Sequence, residues 1–484
     1  MNEPTRPATF RHALCVYPYR RELRESGFFP PLGLEFIAAV VRPYAESLDL
    51  VDLRMEPGRT LDFLRPETDL VCFSVNWDLD RDFLAAEIRS VPPGIPTVIG
   101  GRHATERPDR WLAEFPNIDA VVRGDGEEAM EEMCRRVPME RIAGLSFRRD
   151  GGIHHNPNRT LSAVREDLYP DRRLRRQPYA IKIMGVDSGL KIDAIASSRG
   201  CPFNCTFCSF NRNPWGGKRQ WTARSPESVV NELGEIKARI VGFTDDLFTH
   251  DMDRVERICD LILARGIRKR YLVNARLEVA RRPEVLRKME RAGFSMLMLG
   301  VESAHDKTLL SMRKGLDVAR IRQYCEVLRH SRMILHGYFI LGCIGESAED
   351  MLRIAPFAHE LGLDTLGLSS LRFSPYSGLD ELVASSPGYH IADSGKVYSD
   401  QCPIDELRRL RRRIWSQFYT PLQLARIARK GLQNNALGFL PDLLPRLPRL
   451  AVASSARIWQ RYRRRARKRR ARQAGMAQND SARM

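Results

Sequence analysis

The sequence predicts an α/β protein of two units. A doubly wound, Rossmann-like parallel sheet comes first, then a partial TIM-type (βα)6 barrel, with a helical, basic C-terminal extension. Three observations carry this expectation. Through the first 150 residues, short runs rich in Val, Ile and Leu alternate with helical patterns, which predicts a buried parallel sheet. After Gly189 a second series follows, of six strand–helix units in about 190 residues, too few for an eight-fold barrel. The chain has 484 residues and is 43% apolar, enough for two cores plus extensions.

In the first unit, "HALCVYP", "SLDLVDL", "TDLVCFSV", "IPTVIGG" and "IDAVVRG" read as strands. "PPLGLEFIAAVVRPYA" has helical spacing with Pro30 and Pro31 at its entry, and Asp80 to Ser90 and Pro108 to Phe115 are further helical patterns. Ligands of doubly wound sheets bind at the carboxyl ends of the strands. Those ends are marked here by Ser74, Asn76, Gly100, Gly101, Gly124 and Glu127. "RRDGGIHHNPNR" reads as a hairpin tip that closes a first unit of residues 1–160. A basic, Pro-containing linker is expected over 161–189 and the barrel over 190–375. The barrel strands are "DAIASS", "IVGFTDD", "YLVNARLE", "SMLMLGVES", "HGYFILG" and "LDTLGLSSLRF". Helices are expected at Pro226 to Arg239, Met252 to Arg265, Pro283 to Ala292, Val318 to His330 and Ala348 to Leu361. Ser225-Pro226-Glu227 is a sound helix start: a capping hydroxyl, a proline at the first helical position and an early acid. Residues 376–445 read as a helical region holding the amphipathic "PIDELRRLRRRIWSQFY", and 446–484 as a basic tail.

Net charge is +18, yet from Arg446 to Arg472 there are twelve Arg or Lys and no acid, so two-thirds of the excess lies in the tail. No run of eighteen apolar residues exists, and the N-terminus lacks an apolar h-region. Neither a membrane span nor secretion is expected, and the predicted location is cytoplasmic, with attachment to the inner membrane face as an option. Seven of ten cysteines (15, 72, 134, 259, 325, 343 and 402) stand apart in apolar surroundings and read as small buried hydrophobes rather than a disulfide framework.

The other three, Cys201, Cys205 and Cys208, form C-x3-C-x2-C in "SSRGCPFNCTFCSF", directly after the first barrel strand. Three clustered thiolates suit a soft metal centre. Tetrahedral zinc asks for a fourth ligand, and the nearest downstream histidine is His250. A four-iron cluster held by three cysteines instead leaves one iron open. In this motif and its place the chain resembles the radical SAM superfamily. The resemblance implies a 4Fe–4S cluster whose open iron is chelated by S-adenosylmethionine. It also implies an electron donor such as ferredoxin or flavodoxin, and a 5′-deoxyadenosyl radical that takes hydrogen from an unactivated carbon. By the same resemblance, Phe207 packs near the adenine, Asp245 and Asp246 bind the methionine amino group, and Glu302 and Ser303 bind the ribose. Asn274 and Arg276 point into the barrel mouth, and Ile340 and Gly342 belong to the fifth-strand segment flanking the adenine. Ile344 replaces the proline usual in that segment.

A doubly wound domain before such a barrel resembles the cobalamin-binding architecture. "PPLGLEFIAAVVRPY", "VIGGRHAT" and "VVRGDGEEAMEEM" carry the likeness, and cobalamin is the implied second cofactor and methyl carrier. The D-x-H-x-x-G loop whose histidine ligates cobalt in many cobalamin proteins is absent, and His103 reads as a loop residue. From about residue 10 to 420 the chain looks most like the branch that methylates hopanoids at C-3. That resemblance implies a hydrophobic or lipid substrate. The tail, with Ile458, Trp459 and Tyr462 among arginines over 446–472, suits an anionic membrane surface or simply solvent. An oxidative cyclase acting on a tetrapyrrole, a nucleic-acid modifier anchored by the tail, and a binding protein with an inactive cluster are the alternatives. Nucleic acid is not the expected partner, since the cysteines at 15, 72 and 134 lack the extra-cluster spacing of methylthiotransferases.

Overall fold

Seven strands build the N-terminal sheet: β1 (Phe10–Tyr17), β2 (Ala45–Asp52), β3 (Thr68–Ser74), β4 (Thr97–Gly100), β5 (Ala120–Val122), β6 (Leu145–Arg149) and β7 (Gly152–His155). This computed structural model describes residues 9–20, 29–77, 80–161, 164–183, 186–208, 212, 215–373, 378–434 and 436–449. The strand order is β2-β1-β3-β4-β5-β6-β7. β1 to β5 run parallel, and β6 and β7 add an antiparallel hairpin whose tip is the turn at Asp150 and Gly151. Alternation along β1 sorts its side chains into two cores, as a two-sided sheet requires. Ala13, Cys15 and Tyr17 pack with Leu34 and Ala38 of the helix Leu32–Val41. Leu14 and Val16 pack with Leu84, Ile88 and Trp111 on the other face. The strand order reverses between β1 and β3, the kind of crevice where such sheets take ligands.

The second sheet begins with β8 (Ala180–Ile183) and β9 (Val186–Ile195), so the stretch read as linker already contains sheet. A two-residue ladder, β10 (Ser198–Arg199) with β11 (Thr222–Ala223), brackets the cysteine loop. β12 (Ile240–Phe243), β13 (Arg270–Ala275), β14 (Phe294–Glu302), β15 (Ile334–Leu341) and β16 (Thr365–Ser370) complete the sheet. Its order is β16-β15-β14-β13-β12-β9-β8, with β9 and β12 to β16 parallel. β8 and β16 do not pair, so six parallel strands curl into an open partial barrel. Past it lie the helix Leu379–Ala384, the hairpin β17 (Tyr389–Ile391) and β18 (Val397–Ser399), and the helices Ile404–Phe418 and Pro421–Gln433.

Helix Pro226–Glu235 starts as expected, with the Ser225 hydroxyl accepting from the Ser228 amide at 3.2 Å. It ends earlier than Arg239 because Ile236 turns to extended backbone. The helical pattern from Ala348 to Leu361 divides into Ala348–Leu352 and Ile354–Glu360. Pro356 in its middle has no N–H to offer the preceding turn. All seven isolated cysteines are buried and free.

Two contacts lock the units together. The Phe29 ring lies against Gly242 on β12, where a Cβ would sit 2.4 Å from it, so only glycine admits the plug. The second is a buried ionic seam. Arg175 forks onto Glu35 of the first unit (2.6 and 2.7 Å) and onto Asp193 of β9 (2.8 and 2.9 Å). Arg172 joins Asp193 at 2.9 Å to Glu232 at 2.7 Å, and Arg224 closes the far side of Glu232. Burial pushes the Glu35 carboxyl up, and Arg175 opposes that shift. Replacing Arg175 by alanine strands the buried Glu35 carboxylate and leaves Asp193 to Arg172 alone, and is expected to cost about 3–5 kcal/mol in urea unfolding. A loss under about 1 kcal/mol would show that the seam holds nothing in place.

Candidate functional site

The strand ends of both sheets face one another across a cavity of about 290 Å³. From the first unit it is walled by Ser74 and Asn76 at the end of β3, Gly100 and Gly101 at the end of β4, and Gly124 and Glu127 after β5. All six residues that the sequence marks at the strand ends of the first unit thus share one cavity. Leu32, Phe36, Ile37, Val98, Val122 and Met130 give it an apolar floor. The barrel adds Ala196, Ser198, Arg199, Thr244 and Asp246. Gly101 is the tightest point: its φ is +97°, and a Cβ there would meet the Val75 carbonyl oxygen at 2.7 Å and Asn76 Oδ1 at 2.8 Å. An apolar slot with glycine walls and a polar rim fits a flat base and its sugar-phosphate tail, while a whole corrin ring needs the open mouth. No histidine is among the described residues lining the cavity. His103 lies in the short helix Arg102–Glu106 rather than a loop, with its ring edge-on to Trp111 at 5.6 Å. Arg199 closes the seam by bonding Glu127 and approaching Asp125 at 3.5 Å, and Arg219 bonds Asp125 at 2.9 Å. Sequence reading missed these arginines, although Arg199 stands two residues before the first cysteine.

Cys201, Cys205 and Cys208 lie on one irregular loop, Cys205 buried and the other two half-buried. Five clamps shape the loop. The Asp245 carboxylate accepts from the Ser197 amide (2.7 Å), the Ser197 hydroxyl (2.5 Å) and the Ser198 hydroxyl (2.6 Å). The Gly200 amide donates to Asp246 at 2.7 Å. The Arg276 guanidinium stacks 3.7 Å over Phe203 and bonds Glu278 and the Lys314 carbonyl. Lys218 donates to the Phe203 carbonyl and to Asn204, and the Thr206 amide donates to the Met312 carbonyl at 3.0 Å. Burial raises the Cys201 thiol, and Arg276 works against that rise. Among the described residues no three His, Cys, Asp or Glu groups gather as they would around a single ion. Three soft donors on one loop, without a fourth ligand, suit a multi-iron cluster with an open site better than tetrahedral zinc.

The remaining strand ends bring the other expected residues to the same mouth, with different duties. Asp245, expected at the methionine amino group, is fully buried and gives both oxygens to Ser197 and Ser198 of the loop. Asp246 is the one that lines the cavity, and burial lifts its carboxyl to about 6. Asn274 donates to the Asp245 carbonyl at 3.1 Å. Arg276 points at the cysteine loop rather than an open mouth. Glu302 sits at φ +73°, a left-handed conformation uncommon outside glycine, and accepts from the buried Lys314 at 2.9 Å. Ser303 donates to Glu346 at 2.7 Å, and burial raises that carboxyl. The expected ribose pair is therefore engaged by Lys314 and Glu346, of which only Glu346 lay in a motif ("GCIGES"). Phe207 packs beside Met312, Ile340 and Cys343, and Gly342, at φ +77°, ends β15 there. A larger cleft of about 1520 Å³, walled by Arg42, Arg165, Lys191 and Lys237 among others, contains none of the expected site residues.

The Radical SAM superfamily profile matches residues 195–358, and the B12 binding domain profile matches residues 26–133. An uncharacterized methyltransferase of Pyrococcus horikoshii is 28% identical over 353 residues, 69% of this chain and 74% of that protein. The hopanoid C-3 methylase of Methylococcus capsulatus is 29% identical over 317 residues, 62% of this chain and 58% of that protein. The anaerobic magnesium-protoporphyrin IX monomethyl ester cyclase of Rubrivivax gelatinosus is 26% identical over 304 residues, 60% and 54%. The chain thus spans little more than half the length of these last two. Among solved structures, the radical S-adenosylmethionine methyltransferase TsrM from Kitasatospora setae, with cobalamin and a [4Fe-4S] cluster bound, aligns with a TM-score of 0.66. That alignment, at 17% identity, covers 85% of this chain and 90% of that one and establishes a shared fold.

Two substitutions separate the duties of the site. Asp245→Ala leaves an amide and two hydroxyls without their acceptor, about 3 kcal/mol, and is expected to cost at least half the iron bound after anaerobic reconstitution. Asp246→Ala removes a single loop contact, the acceptor of the Gly200 amide, and should keep most of that iron; equal iron loss in both would refute the division. Gly101→Ala should weaken corrinoid uptake roughly tenfold in an absorbance titration while iron content stays unchanged. The strand-end geometry and the two domain matches make the chain a radical SAM enzyme with a B12-binding domain, whose cofactors are a 4Fe–4S cluster, S-adenosylmethionine and cobalamin.

Proposed function

We propose that this enzyme is a C-methyltransferase that methylates an unactivated sp3 carbon of a hopanoid lipid, at C-3 of ring A. One observation carries the reading: a single cavity is walled by both domains, by Ser74, Asn76, Gly101 and Glu127 on one side and Ser198, Thr244 and Asp246 on the other. When bound, the cluster with S-adenosylmethionine supplies hydrogen abstraction and cobalamin supplies the methyl group, chemistry no side chain can provide. The chain's own part is to hold and to dry the site. Asp245, Arg276 and Lys218 set the cysteine loop, and Arg199 with Asp125 and Glu127 seals the domain seam.

The barrel wall supports a hydrophobic substrate. Alternating residues Tyr271, Val273, Leu297, Leu299 and Phe339 are buried under the helices. Their neighbours Leu272, Met296 and Met298 remain half-buried and Tyr338 is 37% exposed, so the other face of β13 to β15 is open and largely apolar. The relative that methylates hopanoids at C-3 supports the lipid, and the cyclase relative favours a tetrapyrrole as the second reading.

The deciding experiment incubates the reduced, reconstituted enzyme with methyl-deuterated S-adenosylmethionine and a diplopterol-type lipid. A labelled methyl on the lipid by mass spectrometry is expected. No labelled lipid, together with turnover of a magnesium-porphyrin ester, would replace methyl transfer by cyclisation.

A further inference from the structure

Helix Pro421–Gln433 is folded inside out. Its polar side chains face the barrel: Gln423 and Lys430 are buried. Gln423 donates to the Leu363 and Asp364 carbonyls at 2.9 and 2.8 Å, and Lys430 donates to Asp364 at 2.7 Å and to the Met333 carbonyl at 3.0 Å. Arg426 adds a bond to the Gly362 carbonyl at 2.9 Å. With the polar stripe spent on the strand starts of β15 and β16, the leucines turn outward. Leu422 is 82% exposed, Leu424 54% and Leu432 56%, with Ala425 and Ala428 between them and Arg429 the only charge on that arc. The pattern persists downstream, where Leu437, Leu444 and Leu447 are also exposed. A surface helix of a globular protein shows the opposite polarity, and an outward leucine arc of this length marks a docking face.

We propose that this face, around Leu422, Leu424 and Leu432, docks on an anionic lipid surface. The surrounding charge selects that occupant. Between Leu407 and Asn479 the sole acid is Asp442, already paired with Arg239 at 3.1 Å. The chain then continues into the segment 446–472 with its twelve Arg or Lys. Leucines entering the headgroup boundary beside arginines that meet anionic headgroups combine the two attractions that hold interfacial helices. A second copy of this chain on the same face would bring two such basic tails together, at a cost in like-charge repulsion. The proposal goes beyond the hopanoid reading and stands without it, since it concerns attachment and not the reacting lipid.

The test is flotation of the full-length reconstituted enzyme with phosphatidylcholine vesicles, with and without phosphatidylglycerol and free of hopanoid. Salt-sensitive binding to the anionic vesicles is expected. L422S/L424S/L432S should lower it roughly tenfold at unchanged circular dichroism and iron content, and Ala425→Leu should raise it. Three results would overturn the proposal. One is anionic binding that the triple variant leaves intact, whether through residues 450–484 or otherwise. Another is absence of vesicle binding. The third is a dimer, seen by light scattering, that the triple variant dissolves without any vesicle binding. Vesicle binding is read without turnover, so its failure leaves the methylation assay to judge the substrate separately.

Discussion

Everything at the site depends on a charge-neutral seam buried between the two domains. Arg172, Arg175 and Arg224 stand against Glu35, Asp193 and Glu232, all nearly or wholly shielded from water. Such groups are costly to bury, and the seam adds little stability over a well-packed apolar one. What it adds is direction. A guanidinium forks onto carboxylates in fixed planes, so Arg175 can satisfy Glu35 and Asp193 together in only a narrow range of domain orientations. Because Glu35 sits on the helix entering the interdomain cavity and Asp193 on the strand leading to the cysteines, the seam sets how the two halves of the cavity meet.

The second consequence concerns Asp245 and Asp246, neighbours with opposite duties. Asp245 is sealed among Ser197 and Ser198 and sets the launch of the cysteine loop from β9. Asp246, one residue on, looks into the cavity with a carboxyl raised to about 6 by burial. A raised carboxyl is a group whose charge burial disfavours, and a cationic partner would relieve that.

Much of this was legible in the sequence, for reasons that differ by element. Six strand–helix units were readable because buried parallel strands are continuous apolar runs, and the first unit's cavity-lining residues because glycines and small polar groups end those runs at Gly100 and Gly124. The division between Asp245 and Asp246 was not legible, since it turns on which carboxylate meets Ser197, a contact 48 residues away in sequence. Lys314 lies outside every motif and meets the left-handed Glu302 from 12 residues further along the chain. The helix Pro421–Gln433 defeats pattern reading altogether: its amphipathic pattern names a buried face, and Asp364 reverses which face that is. Of the segment 446–472 that the sequence assigns to a lipid surface, residues 450–472 lie outside the described residues.

The central claim is that corrinoid and cluster domains share the cavity between Gly101 and Asp246. A crystal structure of the anaerobically reconstituted enzyme with cobalamin tests it most directly. The account predicts the nucleotide tail between the β4 and β5 ends, against Gly100, Gly101 and Gly124, with the corrin turned toward the cysteine loop. Corrinoid density in the Arg42–Lys237 cleft instead, or cysteines too far from the cavity to face it, would contradict the account.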